Sequence, residues 1–557
     1  MRLGLIGLCA AAALTASQVE SNALWLNPLA TSELNIQLQT EALAGDWYDP
    51  VAATIRDRMS RRPKAADARV EKDRQAIADA YASRGFAPFW IADGRLSRGA
   101  QAVIDRLARA DSDGLDPRAF SAPAPDIGTI AAGRPEALAD ADFQLSQAVV
   151  AYARVASIGR IDPQTISPNI GYSLQPPEPG QSLLAVANAT DPAAALASFN
   201  PPHPGFERLR AELARVRAAG PVVRPAAVAS GKTVKPGQSD ERIPALRVRL
   251  GVTVETDKPL VLDESTAGAL KAFQQARGLS PDGTLGPGTV AALNAAAADP
   301  TAEIVANLER WRWLPRDLGR FNVQVNIPEF SLSVYRDGAV THTTRVIVGQ
   351  TDKQTPVFSD EIEHIIVNPS WNVPESIAVK EMMPAIQANP GAFFARNNYV
   401  VTATVNGRSQ VIDPSRVDWR TINPRTVHFR QPPGANNALG NIKFMFPNQY
   451  AVYLHDTPSR TLFGQDFRAL SHGCVRVNDP FAFAQALLVD DPQWDAAKIK
   501  KMVGGGERQL NLAQPVPVHL MYFTTWVDEN GARQSRNDIY GISAAVQKAL
   551  GLTGPGA

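Results

Sequence analysis

Two hydrophobic periods divide the chain. From about residue 41 to 201 apolar positions recur at helical spacing in an Ala-rich background. In "RLSRGAQAVIDRLARADSDGLDPRAF" the set Ala102, Val103, Ile104, Leu107 and Ala108 suits an amphipathic helix. The pattern predicts a helical region over residues 24–217. Residues 218–240, "AAGPVVRPAAVASGKTVKPGQSD", have no period and read as a Pro/Gly/Ala-rich linker. Residues 241–298 predict three short helices, with Leu246 and Leu250 on the first, Leu270 and Phe273 on the second, and Val290 and Leu293 on the third. After "ERWRWLP" at residues 309–315 the period falls to two. "FNVQVNI", "FSLSVYRDGAV", "TTRVIVG", "EHIIVNPSW", "KFMFPN" and "YAVYLH" are strand runs, and Asp337 with Gly338 marks a hairpin. The strands are interrupted over about residues 372–429 by an inserted lid subdomain. The predicted fold is multi-domain α+β: a helical scaffold, a small three-helix module and a mainly β, sandwich- or barrel-like domain over 305–545, with a tail at 546–557.

The start of the chain changes the compartment. One Arg, an apolar run and then small residues give residues 1–23 the layout of a secretory signal, with "LTA" (14–16) and "SNA" (21–23) as alternative cut sites. Lipidation at Cys9 is disfavoured, because Leu8 stands where a small residue is needed. No later stretch reaches about 18 apolar residues, so no stable membrane span is expected after signal removal. A net charge of +1 supplies no basic field for nucleic acid. Apolar residues at 45% and charged residues at 20% fit globular domains with real cores. "DSDGLD" at 111–116 lacks the distal Glu of a calcium loop and reads as a helix-ending turn.

The candidate chemistry centres on a lone thiol. Removing the signal takes Cys9 away and leaves Cys474 unpaired, so no intramolecular disulfide is available. In "YLHDTPSRTLFGQDFRALSHGCVRVN" His455 ends an alternating strand, and Ser471, His472 and Gly473 precede Cys474. A thiol that transfers acyl groups needs a base, donors for an oxyanion, and a group that orients the base. His455 supplies an imidazole; the amides of His472, Gly473 and Cys474 are candidate donors; Arg476 and Asn478 alternate with Val475 and Val477 to put polar groups on one face. A zinc site of His455, His472 and Cys474 has no CxxC or HExxH spacing behind it, so no metal is expected. His203, His342, His364, His428 and His519 form no constellation.

His455 followed by "SHGCVRVN" resembles the signature of L,D-transpeptidases, whose catalytic unit is the YkuD domain. "RWRWLP", "NPSWNVP", "KFMFPN" and "YLHDTPS" are similar to the large, multi-domain type of that family, and "AFQQARGLSPDGTLGPGTVAALN" resembles a peptidoglycan-binding module. The resemblance implies Cys474 as nucleophile and His455 as general base, oriented by a backbone carbonyl near Asp456. It places His472 and Gly473 with the Cys474 amide at the oxyanion, and Ser471, Arg476 and Asn478 around the donor pocket. It implies peptidoglycan stem peptides as partners, a donor tetrapeptide and an acceptor stem, with an outer-membrane protein as an alternative acceptor. The implied reaction is 3→3 cross-linking through a thioester with loss of D-alanine, without a cofactor, in the periplasm. L,D-carboxypeptidase action and a non-catalytic wall-binding scaffold stay open as alternatives.

Overall fold

The computed structural model describes residues 49–552, apart from short stretches at 62–63, 125, 128–130, 132, 221–225, 254–256, 297–299 and 406–407. The signal-like segment 1–23 and residues 553–557 of the tail lie outside the described residues.

The N-terminal region is helical: α1 (Pro50–Arg61), α2 (Ala68–Ala82), α3 (Arg98–Ala108), α4 (Pro135–Ile158), α5 (Pro179–Ala187), α6 (Pro192–Ala197) and α7 (Pro204–Ala218). The helices α4 to α7 each open on a proline, where the missing N–H would have had no helical partner. Val103, Ile104 and Leu107 of α3 pack with Leu145 and Val149 of α4 in one core. A two-residue hairpin, β1 (Ile91–Ala92) and β2 (Arg95–Leu96), closes the loop before α3. The "DSDGLD" stretch is a 3-10 turn ending at left-handed Gly114, and its buried Asp113 is held by Arg106, Arg210 and Tyr152.

The small module contains α8 (Ile243–Leu250), α9 (Glu264–Ala276) and α10 (Pro287–Ala296) around Leu246, Leu270 and Leu293. The stretch read as linker is partly corrected. Val228 and Val234 are buried in this module's core, and Val234 exchanges backbone hydrogen bonds with Leu285. Two valines in a Pro/Gly/Ala background carry no period, although they are enough to fix an edge. The module docks on the β domain through Ser280, whose hydroxyl donates to Asp466 (2.6 Å), and through Arg536, which donates to the Ala276 carbonyl (2.9 Å).

A keystone helix, α11 (Pro300–Trp311), joins the halves, and every residue from Ile304 to Trp311 is buried. Arg310 donates to Thr524 of the β domain (2.8 Å), whereas Arg312 donates to the Asp113 carbonyl (2.8 Å) and Asn200 (3.2 Å) of the helical region.

The β domain is built on β3 (Phe321–Asn326), β4 (Ser331–Arg336), β5 (Ala339–Gly349) and β6 (Phe358–Val367). An insertion carries β7 (Trp371–Asn372), α12 (Met383–Ala388), α13 (Pro390–Asn397), β8 (Val400–Val405), β9 (Arg408–Ile412) and β10 (Val427–Gln431). Then follow β11 (Ile442–Met445), β12 (Leu454–His455), β13 (Ala469–Ser471), β14 (Val475–Val477), α14 (Pro480–Leu487), α15 (Ala496–Met502), β15 (Arg508–Met521), β16 (Thr525–Val527), β17 (Arg533–Ser535) and α16 (Ile542–Ala549). The main sheet runs β13-β5-β14-β12-β11-β6-β15-β3-β4 and closes because β4 also pairs with β5. Closure depends on the length of β5. Its first half pairs with β4, and its last residues pair with β14 and β13. Asp337 (φ 50°) and Gly338 (φ 83°) are both left-handed, which suits a tight hairpin between β4 and β5. Inward Val323, Val325, Leu332, Val334, Val346, Val348, Val475 and Val477 fill the centre. The insertion has its own sheet, β7-β10-β8-β9, and its own core around Met383, Ile386, Trp419 and Phe429.

Candidate active site

The site lies where β12 and β14 run parallel on the outer face of the closed sheet. Leu454 is paired with Val475 and His455 with Arg476, which sets Cys474 level with Tyr453. Alternation then places Cys474, Arg476, Tyr453 and His455 on one face and the valines on the other. On the far side of β12, Lys443 of β11 is the partner of His455.

His455 is buried, and its Nδ1 lies 2.5 Å from the Asp456 carbonyl oxygen. An N–H on Nδ1 donates to that carbonyl, which leaves Nε2 with its lone pair. Burial, aided by the Arg476 cation, lowers the imidazole pKa to about 3, so the ring is neutral. Asp456 is itself fixed. Its carboxylate accepts from the amides of Asn441 (2.9 Å) and Thr457 (2.6 Å) and pairs with Arg460. Left-handed Gly440 lies so close that a Cβ there would strike the Asp456 carboxyl.

Cys474 is half-buried. Burial pushes its thiol above the ordinary value, opposed by hydrogen bonds from the Tyr453 backbone and phenol and by the Arg476 and Lys443 cations. Among the described residues no hydrogen bond joins its sulfur to His455; the pair is diagonal across the two strands. The resting site is therefore a neutral thiol beside a neutral imidazole. Alkylation of Cys474 by iodoacetamide should climb about tenfold per pH unit between about pH 6 and 8, following the thiolate fraction. A rate independent of pH over that range would instead mean that His455 takes the thiol proton in the resting site as well.

The turn before Cys474 corrects two expectations. Ser471 does not shape a donor pocket: it is buried, its hydroxyl donates to the Cys474 carbonyl (2.6 Å), and it accepts from the Gly473 amide (3.2 Å). The Gly473 amide is thereby taken, so it is no oxyanion donor. The amides of His472 and Cys474 have no partner among the described residues. Gly473 is needed for its φ of +116°, and its carbonyl accepts from Thr355 (2.7 Å). Asn478 is displaced as well. It lines a cleft with Arg345, Arg468 and Arg536 below the small module, and its amide donates to the Arg345 carbonyl (3.0 Å).

The His472 ring leaves the thiol and meets the insertion. Its Nε2 is 2.6 Å from Glu381 Oε1 and 2.9 Å from Lys353 Nζ, and the Lys353 ammonium holds the Glu381 carboxyl below the usual range. The Arg476 side chain makes no hydrogen bond or ion pair among the described residues, and burial lowers its pKa against the opposing pull of Cys474. It thus presents an unneutralised cation at the thiol. The sequence reading missed Tyr453 and Lys443. Tyr453 had a usable signal, since two positions before His455 on a strand means the same face. Lys443 had none, because only the β11–β12 register brings it there; its Nζ lies 4.8 Å from the Tyr453 ring centroid. The three candidate zinc ligands are not gathered, and among the described residues no group of His, Cys, Asp or Glu is arranged to hold a metal.

Known proteins align with these parts. Residues 75–213 match the family described as "Scaffold domain", residues 249–293 match "Putative peptidoglycan binding domain", and residues 320–498 match "L,D-transpeptidase catalytic domain". Over 249 residues the chain is 34% identical to a "Putative L,D-transpeptidase" of Haemophilus influenzae, which covers 45% of this chain and 50% of that protein. The chain thus spans about half the length of that relative. Among solved structures, an L,D-transpeptidase from Xylanimonas cellulosilytica is 16% identical, with 52% of this chain and 98% of that chain covered and a TM-score of 0.17. One from Stackebrandtia nassauensis is 14% identical, with coverages of 53% and 96% and a TM-score of 0.20. Scores that low add no weight, and the assignment rests on the sequence matches. The chain carries an L,D-transpeptidase catalytic domain of the YkuD type, together with a scaffold domain and a peptidoglycan-binding domain.

Proposed function

We propose that the protein forms 3→3 cross-links in peptidoglycan through a thioester on Cys474. The observation that carries this is the pairing of β12 with β14, which puts a half-buried thiol, a neutral oriented imidazole and an unpaired guanidinium on one face. The Cys474 sulfur attacks the carbonyl at the L-centre of the third residue of a donor tetrapeptide. Its proton passes to His455 Nε2, and the amides of His472 and Cys474 receive the oxyanion. The C–N bond to D-alanine breaks, and the imidazolium returns the proton to the leaving amine. The side-chain amine of a neighbouring stem then attacks the thioester, gives its proton to His455, and expels the sulfur, which regains it. One peptide bond is broken and one made, so no outside energy source is required.

Tyr453, level with Cys474 on the same face and favouring its ionised form, stabilises the thiolate as it forms and again as it leaves. Arg476 holds a carboxylate of the donor stem. The insertion, tied to the catalytic turn through Glu381 and His472, covers the thioester against water. The signal-like first residues and a wall substrate together point to the periplasm.

Purified tetrapeptide muropeptides incubated with the protein, and with Cys474→Ala as a blank, test this by mass spectrometry. Cysteine-dependent dimers joined 3→3 with release of D-alanine are expected. Tripeptide monomers alone would make the protein an L,D-carboxypeptidase. Turnover only with an outer-membrane protein amine would make that amine the acceptor. No cysteine-dependent product would remove the catalytic reading.

A further inference from the structure

A second site lies on the opposite side of the β domain from the thiol. A cavity of about 290 Å³ opens between the start of α7 and the outer faces of β3 and β4. That is roughly ten times the ~30 Å³ share of one water, and on the scale of a small-ligand pocket.

Its floor follows from strand alternation. Val323, Val325, Leu332 and Val334 point into the core, so the amides of β3 and the hydroxyls of β4 point out. Most of these groups are met within the protein: Asn322 donates to the Gly319 carbonyl (2.7 Å), Asn326 to the Phe523 carbonyl (3.2 Å) and Ser331 to Glu329 (2.9 Å), and Ser333 shares a hydrogen bond with Thr343 (3.1 Å). Gln324 donates through Nε2 to Asn322 (3.0 Å), but its Oε1 has no donor among the described residues, and the Tyr335 hydroxyl has no partner there either.

The wall is more telling. His203 and Trp311 line the cavity, and both are more than nine-tenths buried, at 7% and 8% exposed. Neither His203 Nε2 nor Trp311 Nε1 has a hydrogen-bond partner. Native interiors rarely leave such atoms unmet. The two rings are neighbours, with centroids 5.4 Å apart. Burial lowers the His203 pKa to about 4, and the Pro315 carbonyl accepts one ring N–H. The imidazole is thus neutral, and Nε2 is an acceptor. Trp311 Nε1–H can only donate. Both atoms are sealed from solvent, so a ligand hydroxyl would meet this acceptor and donor only once the His203 and Trp311 rings turn toward the cavity.

Aromatic surface completes the site. Trp526 lines the cavity, and Phe523 lies 4.5 Å from Trp311. At the edge Glu329 pairs with Arg536 and Arg208 donates to the Val527 carbonyl (3.1 Å), while Glu529 has no ion pair among the described residues. Amide and hydroxyl groups against aromatic rings, with charged Arg208 and Glu529 only at the rim, suit a neutral polyhydroxylated ring with one apolar face. They do not suit an anion or an aliphatic chain.

We infer that this cavity binds a neutral N-acetylhexosamine residue of a glycan strand, at a point separate from the thiol that works on the peptide. The choice of glycan rests on the peptidoglycan reading above; the preference for a sugar rests on the cavity. A strand held here would be anchored by the scaffold–sheet junction, independently of the matched binding module.

The test uses the full chain and the tetramer of N-acetylglucosamine, followed by calorimetry and tryptophan fluorescence. Binding with Kd below about 1 mM is expected. Gln324→Ala and Tyr335→Phe, each checked for an unchanged unfolding midpoint, should weaken it about tenfold. Cys474→Ala should bind like the wild type. Binding unaltered in both cavity variants would place the sugar elsewhere and overturn the inference. Absence of binding at about 10 mM would overturn it too, leaving the cavity to water. If the tetramer binds as expected while tetrapeptides are never turned over, the failure belongs to the proposed reaction and not to the cavity.

Discussion

His455→Gln should lower transpeptidation by about 10²–10⁴-fold, the range a positioned general base contributes. The glutamine amide can still donate to the Asp456 carbonyl, so the turn keeps its geometry. What disappears is the lone pair on Nε2 that receives the thiol proton. The pH profile separates this role from a packing role. In the wild type the imidazole pKa is lowered to about 3 and the thiol pKa is raised, so one shared proton is present across everything between. The wild-type kcat/KM should therefore be flat from about pH 5 to 8. In His455→Gln the thiolate must form unaided, and kcat/KM should rise about tenfold per unit over the same range. A wild-type acid limb between about pH 6 and 7 would contradict the neutral imidazole described here, as would a variant whose profile merely drops without changing shape.

The parts of this site that were legible in the sequence are those that strand alternation or local spacing controls. His455 and Cys474 lie in a short stretch, and alternation set Arg476 on the thiol's face. The same alternation would have found Tyr453. It misjudged Asn478, because β14 ends at Val477 and the next residue turns toward Arg345. Backbone hydrogen bonds were out of reach: nothing in "SHGC" says that Ser471 takes the Gly473 amide and reduces the free donors to His472 and Cys474. Long-range partners were equally hidden, since Lys443, Glu381 and Lys353 arrive only through sheet register and the placing of the insertion. At the level of the fold, helix and strand periods separated the halves well. The period-two runs predicted strands but not closure, which depends on β5 pairing along its whole length with three neighbours. Val228 and Val234 show the complementary failure, in which an aperiodic stretch still carries core residues. The "RWRWLP" segment was read as a family mark, and its physical role lies in burial that a polar sequence conceals.

Glu309→Ala should destabilise the full chain by about 3–5 kcal/mol, the usual result of removing one partner of a buried ion pair. Glu309 and Arg312 are both essentially inaccessible, with Arg312 Nη1 3.9 Å from Glu309 Oε2. The carboxylate also accepts from the Ile161 amide (3.0 Å) and the Arg160 amide, beyond the end of α4. Alanine would leave two half-buried amides without an acceptor and a guanidinium without a counter-charge. Arg312 would still donate to the Asp113 carbonyl and Asn200, and those neutral partners cannot balance its charge in a dry interior. The space cannot collapse easily, because the carboxylate also fills the gap over Gly159, where a Cβ would lie 2.5 Å from Oε1. Glu309→Leu combined with Arg312→Met removes both charges and should recover most of the loss, seen as a rise in the unfolding midpoint relative to Glu309→Ala. Equal losses in the single and double variants would mean that the hydrogen bonds to residues 160 and 161, not the charge pair, hold the scaffold to α11. The outcome matters for the cavity as well. Trp311 lies between Arg310 and Arg312, so the same buried helix turn that ties the scaffold to the sheet also fixes one wall of the proposed sugar site.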